Sequence, residues 1–334
     1  MELIKVLNIF LSSVIMLFGM CTGVNHGDTV KKFEKNVGDV KIYENTLETA
    51  VAQTEIYNLI SNHFSSALPE GKMQKKLIVI GYDGCRADAL TLMREDSPII
   101  SLVNDGGHCV LSYCGGKNYP LLNTQLTSTA PGWCSMLTGK WANVHGVIGN
   151  GIRKSNKHLT LLTTLVENGT IDNSAFYVSW DGHFTKSNST YIKEKQYCEE
   201  KGLPVIFNRS NSDNGTCQSV ISDISQSDCS DFIFSIFEHC DHTGHGSGFE
   251  IENSQYCKAF ADSEKTANSI IAAIKSRETY DTEDWMIIIT SDHGGYNKSH
   301  GFFTYQERMT FIAVNKDVDF SSADTGAACL IRKR

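Results

Sequence analysis

Leu77–Ile80 and Trp285–Ile289 are apolar without a break, and Asp231–Phe237 nearly so. Runs of this kind, rich in β-branched residues and four to seven long, read as strands buried on both faces. Each stops abruptly: the first at Asp83-Gly84, the second at Ser291-Asp292-His293-Gly294-Gly295, the third at Glu238-His239-Cys240-Asp241. Cys109–Tyr113, Ala175–Ser179 and Met309–Val314 read as further strands. Helical spacing predicts helices over Ala87–Asn104, closed by Gly106-Gly107, and over Leu159–Asn168. A longer one spans Gln255–Ser276, with Ala259, Ala267, Ile270, Ile271 and Ile274 on its apolar side. An apolar helical turn, Trp133–Thr138, follows Thr129-Ala130-Pro131 and ends at Gly139. Alternating strands and helices with crossovers of this length predict an α/β fold: a largely parallel central sheet with helices on both faces.

The flanks read differently. Residues 24–72 are polar and charged, with a helical pattern in Leu47–Phe64, and are expected as an N-terminal extension packed onto a single domain spanning 73–334. Asp181–Asp228 is a polar excursion, a candidate cap over a substrate. Lys5 precedes an apolar stretch, Val6–Met20, too short to span a bilayer and suited to a signal peptide covering 1–23, with cleavage near Gly23. No other stretch reads as a transmembrane helix, so a secreted, cell-surface or envelope location is expected.

The chain has 334 residues, 41% apolar composition and a formal net charge of −8. No basic run stands out, which argues against a nucleic-acid-binding surface. Eleven cysteines are many for a reducing compartment, and ten remain once Cys21 leaves with the signal. Cys198, Cys217, Cys229, Cys240 and Cys257 crowd a polar region and are expected to pair.

In parallel α/β sheets, ligands collect at the carboxyl ends of the strands. Asp83, Asp241, His245, Asp292, His293 and His300 all lie at or just beyond those ends, with Thr129 at a helix start. Hard oxygen and imidazole donors converging on one edge are what a two-cation site requires. Asp241 and His245 stand four apart around Gly244, a turn that can aim both at one ion. Asp292 and His293 are adjacent, so extended backbone would point them to opposite sides unless they bridge two ions or the strand bends at the glycines. Thr127 and Ser128 are rivals to Thr129, with a helix cap as their ordinary reading.

With these residues in hand, the chain resembles the alkaline phosphatase superfamily, and within it the type I phosphodiesterase/nucleotide pyrophosphatase branch. The motifs are Ile80–Gly84, Thr129-Ala130-Pro131 with Thr138-Gly139, Val144–Asn150, Asp241–Gly246 and Ser291–Gly294, in family order over roughly residues 75–315. The resemblance implies an alkaline-phosphatase-like fold and two Zn²⁺, although the donor types alone admit other divalent cations. One ion would take Asp241, His245 and His300, and the other Asp83, Asp292, His293 and the Thr129 oxygen. Thr129 would be the nucleophile and Asn150 would bind a phosphoryl oxygen of a small phosphoester substrate. The implied reaction is hydrolysis of a phosphodiester or pyrophosphate bond through a phospho-threonine. A phosphomonoesterase or phosphonate hydrolase of the same superfamily is the alternative.

Two features depart from the family. The last histidine follows His293 by only seven residues, and Ala130 stands where a nucleobase-stacking Phe is common, leaving Trp133, Tyr177 or Trp180 as substitutes. Cys85 and Cys134 lack the sequence context from which sulfatases make formylglycine. A complete ligand set with a nucleophile argues against a non-catalytic binding protein.

Overall fold

The computed structural model describes residues 36–37, 40–41, 50–116, 124–150 and 156–320. The expected signal peptide, 1–23, and Cys21 lie outside the described residues. In chain order the elements are β1 (Asn36–Val37), β2 (Val40–Lys41), β3 (Val51–Ala52), α1 (Glu55–Ser65), β4 (Gln74–Tyr82), α2 (Pro98–Asn104) and β5 (His108–Tyr113). There follow α3 (Thr129–Thr138), α4 (Ala142–His145), α5 (Leu161–Glu167), β6 (Ser174–Val178), α6 (Ile192–Lys201), β7 (Val205–Arg209) and α7 (Asp213–Ile224). The last are β8 (Phe232–Phe237), α8 (His239–Ser247), α9 (Ser254–Lys275), β9 (Glu283–Thr290), α10 (Tyr305–Arg308) and β10 (Met309–Val314).

Eight strands form one sheet in the order β3-β5-β10-β9-β4-β8-β6-β7. Every pairing is parallel except the two made by β10, so β10 alone runs against the rest. The central strands alternate their side chains between two cores. Ile78, Ile80, Ile287 and Ile289 join α2, α7 and α9 on one face. Leu77, Val79, Ile288 and Phe234 join α1, α3 and α5 on the other. Both faces are therefore dry, which is why β4, β8 and β9 read as continuous apolar runs. The architecture is the expected α/β one, and it delivers the ends of β4, β6, β7, β8 and β9 to a single edge.

Local departures have local causes. The helix expected over Ala87–Asn104 is broken into a 3₁₀ stretch, Ala87–Leu92, and α2, which begins at Pro98. Proline is accepted in a first helical turn but not within a helix, and it pushes Ser97 into extended backbone. The polar segment 181–228 carries α6, β7 and α7, and β7 is the sheet's edge strand. Residues 51–65 supply β3 and α1, so the end of the N-terminal segment is built into the sheet and its cover. The cysteine pairing expected among Cys198, Cys217, Cys229, Cys240 and Cys257 does not form, and every described cysteine is a free thiol. Their sulfurs turn to separate local partners, Cys198 to the Thr163 hydroxyl, Cys240 to Ser263 and Cys257 to the Ile251 carbonyl.

Candidate metal centre and active site

β4 continues into the site by one more ladder bond, Asp83 N–H to the Phe237 carbonyl at 2.9 Å. Gly84 then turns the chain at φ +66°, and a Cβ there would lie 2.7 Å from the Asp241 Cα. Only glycine meets both demands. The turn lets Asp241 N–H donate to the Asp83 carbonyl (3.0 Å) and Gly84 N–H donate to Asp292 Oδ1 (3.2 Å), joining three strand ends. On the other side, Ser128 is extended and Thr129 is the first residue of the ten-residue helix α3. Its turn packs so closely that a Cβ at Gly132 would stand 2.9 Å from the Asp292 Cβ.

The Thr129 hydroxyl lies 3.4 Å from both Asp83 Oδ1 and His293 Nε2. Asn150 is oriented by the Ala130 N–H, which donates to its Oδ1 at 2.8 Å, so its amide NH₂ faces Thr129 Oγ1 at 3.3 Å. His293 Nε2 stands 3.5 Å from Asp83 Oδ1 and 3.4 Å from Asp292 Oδ2. Across the site, Asp241 approaches His245 Nε2 and His300 Nε2, each at 3.5 Å, and those two nitrogens are 3.1 Å apart. The donor atoms of Asp83, Asp292 and His293 all lie within 4.8 Å of one another, as do those of Asp241, His293 and His300. His293 thus stands between the two groups, stacked on His300 at 4.0 Å between ring centroids, which answers how neighbouring Asp292 and His293 serve one site.

The imidazoles are fixed as acceptors toward the centre. Nδ1 of His293 faces the Gly294 carbonyl (2.7 Å), that of His300 the Thr127 carbonyl (2.9 Å) and that of His245 the Lys298 carbonyl (3.0 Å). A carbonyl only accepts, so each Nδ1 carries the proton and each Nε2 presents a lone pair. Burial holds His293 well below its ordinary pKa and His300 near 4, so both are neutral. The carboxylates move the opposite way. Burial, then the neighbouring Asp241, raises Asp83 well above the usual range, and burial, then Asp83, does the same to Asp292. Burial lifts Asp241 to about 7. Asp241 Oδ1 and Asp292 Oδ2 have no hydrogen-bond partner. Carboxylate oxygens without donors, set beside imidazole lone pairs, are costly in a buried site unless a cation joins them, so the donor set fits divalent metal ions.

All eight residues singled out in the sequence, Asp83, Thr129, Asn150, Asp241, His245, Asp292, His293 and His300, meet here. Thr127, the rival to Thr129, spends its hydroxyl on the Phe302 carbonyl (2.8 Å), and His239, close to His245 in sequence, pairs with Asp213 (3.3 Å). Of the candidate stackers, Trp133 is fully buried and donates its indole N–H to Asp83 Oδ2 (2.8 Å), while Tyr177 points to Asp223. Trp180 lines the cavity of about 600 Å³ beside Thr129, together with Asn150, Asp213, His239 and His242. Sequence reasoning missed Glu238, whose carboxylate groups with those of Asp83 and Asp241 and which burial, then Asp83, raises well above its ordinary pKa. Its signal was visible: a carboxylate directly after a buried strand.

The fold is an alkaline-phosphatase-like α/β one, with carboxylates, imidazoles and a threonine hydroxyl gathered at its strand ends. The family model for type I phosphodiesterase/nucleotide pyrophosphatase matches residues 77–308, and the chain belongs to that family. No curated protein matches the sequence. Among solved structures it is similar to murine ectonucleotide pyrophosphatase/phosphodiesterase 5 in complex with AMP, at 18% identity and a TM-score of 0.45 over 66% of this chain and 57% of that one. It is also similar to a 2-O GAG sulfatase, at 12% identity and a TM-score of 0.52 over 74% of this chain and 65% of that one. The chain thus spans less than two thirds of either protein.

Proposed function

We propose that the protein is a metal-dependent hydrolase of phosphodiester or pyrophosphate bonds, with Thr129 as nucleophile and a covalent phospho-threonine intermediate. One observation carries the reading: a buried threonine hydroxyl at a helix start, within reach of Asp83 and His293, beside Asp241 and Asp292 oxygens that have no hydrogen-bond partner among the described residues. Asp241, His245 and His300 would hold one ion, and Asp83, Asp292, His293 and the Thr129 oxygen a second. When bound, two zinc ions would neutralise phosphoryl charge and lower the pKa of the attacking hydroxyl. The chain's own residues supply the rest. The α3 N-terminus presents the positive end of its dipole to negative charge, and the Asn150 NH₂, aimed by Ala130, reaches the place of a phosphoryl oxygen. Thr129 Oγ1 bonds to phosphorus as the ester oxygen leaves, and water then cleaves the phospho-threonine. Trp180, which lines the cavity beside Thr129, offers an aromatic surface to that leaving group.

A secreted or cell-surface location is part of this reading, supported by the Val6–Met20 stretch. Among the described residues no helix is long and apolar enough to cross a membrane. Metal analysis of the purified chain, with rates on p-nitrophenyl phosphate, bis-p-nitrophenyl phosphate and a thymidine p-nitrophenyl ester, tests it. Thr129→Ala should lower diester turnover on the order of 10⁴-fold with the metal retained. A monoester preference would overturn the diesterase assignment, and full activity in Thr129→Ala would overturn the nucleophile.

A further inference from the structure

His300 reaches the centre on a short tether, seven residues after His293 and beyond Gly294 and Gly295. That tether turns through Asn297 at φ +51° and a Tyr296–Ser299 bridge, and its residues Asn297, Lys298 and Ser299 are exposed. The aim comes from across the site, where Thr127 is fully buried. The Gly301 N–H donates to Thr127 Oγ1 at 3.0 Å, and the same hydroxyl donates to the Phe302 carbonyl at 2.8 Å. The Thr127 carbonyl accepts the His300 Nδ1–H at 2.9 Å. One residue thus grips the loop on both sides of the peptide after His300 and fixes which ring nitrogen faces Asp241.

We propose that Thr127 is a positioning residue: its hydroxyl clamps residues 301–302 and so holds His300 Nε2 in place for the ion shared with Asp241 and His245. The inference rests on the metal reading above. Thr127 lies two residues before Thr129, so the segment that presents the nucleophile also orients a ligand of the other ion. Valine in its place would keep the shape, leave the Gly301 N–H and Phe302 carbonyl buried without partners, and free the loop to rotate. Outer partners of metal-binding histidines contribute about 10–100-fold to metal affinity.

The test is zinc content and resistance to a competing chelator in the full chain, for wild type, Thr127→Val, Thr127→Ala, Thr127→Ser and His300→Ala. Wild type should hold two zinc ions and His300→Ala one. Thr127→Val and Thr127→Ala should yield one ion to chelator about 10–100-fold more readily and keep the other at wild-type strength, with Thr127→Ser restoring both. The proposal is overturned if the valine and alanine variants resist chelation like wild type while His300→Ala loses an ion. Loss of both ions in step with loss of circular dichroism in both variants would also overturn it, in favour of a general folding role. If wild type binds no zinc, or His300→Ala binds as much as wild type, the metal reading itself falls and takes this inference with it.

Discussion

The two ends of the central strands bury charge in opposite ways. At their starts, every acid has a base. Lys76 pairs with Asp231 at 2.9 Å, Arg277 with Glu283 at 2.7 Å, and Lys316 reaches Asp284. Burial pushes Glu283 up, yet hydrogen bonds from Arg277, Trp285 and Thr279 bring it below its ordinary pKa. At their finishes, on the same strands, Asp83, Glu238 and Asp292 face one another and neutral imidazoles, and the charges acting on them are other carboxylates. Folding alone selects the first arrangement, because a buried ion without a partner costs several kcal/mol. The second is an arrangement that a bound cation would complete.

That contrast can be broken by substitution. Lys76→Met should destabilise the zinc-free chain by about 3–5 kcal/mol in urea unfolding, since it strands Asp231. Asp292→Asn at the other end should leave the zinc-free chain as stable as wild type or more so, while abolishing stabilisation by added zinc. Equal losses from the two would erase the distinction.

A pH series sharpens it. Asp241, near 7 when folded and about 3.9 when unfolded, holds its proton more tightly in the folded state. Its contribution is therefore full below about pH 4 and is lost as the pH rises through 7. Buried neutral histidines act in the reverse sense between about 4 and 6.5, so the difference between two proteins is the clean measure. Zinc-free Asp241→Asn should gain thermal stability relative to wild type as the pH climbs from 4 past 7. A constant difference across that range would remove Asp241 from the account. The smallest effect expected is from Trp180→Ala, a roughly three- to tenfold rise in KM for an aromatic leaving group with kcat little changed, read from steady-state kinetics.

How much of this was legible in the sequence follows from what each residue depends on. Strands β4, β8 and β9 announced themselves because both faces are buried, and Asp83, Asp292 and His293 because they follow the end of such a run. β7 did not: Val205-Ile206-Phe207 is short, follows Pro204 and lies half-exposed at an edge, where no alternation is enforced. The break before α2 was written in Ser97-Pro98 but masked by apolar periodicity on either side. Trp133 reads in sequence as a possible stacker because its partner, Asp83, is 50 residues away, and only the packing of α3 on β4 reveals it. Glu238 was overlooked because its meaning comes from the β4–β8 register, Tyr82 beside Phe237, which sets it next to Asp83.

Because Asp292, His293 and His300 fall within nine consecutive residues, a single loop serves both proposed ions. Cleavage at its tip, near Asn297, would unload them together, and a chain nicked there would retain its sheet while losing its chemistry in one event.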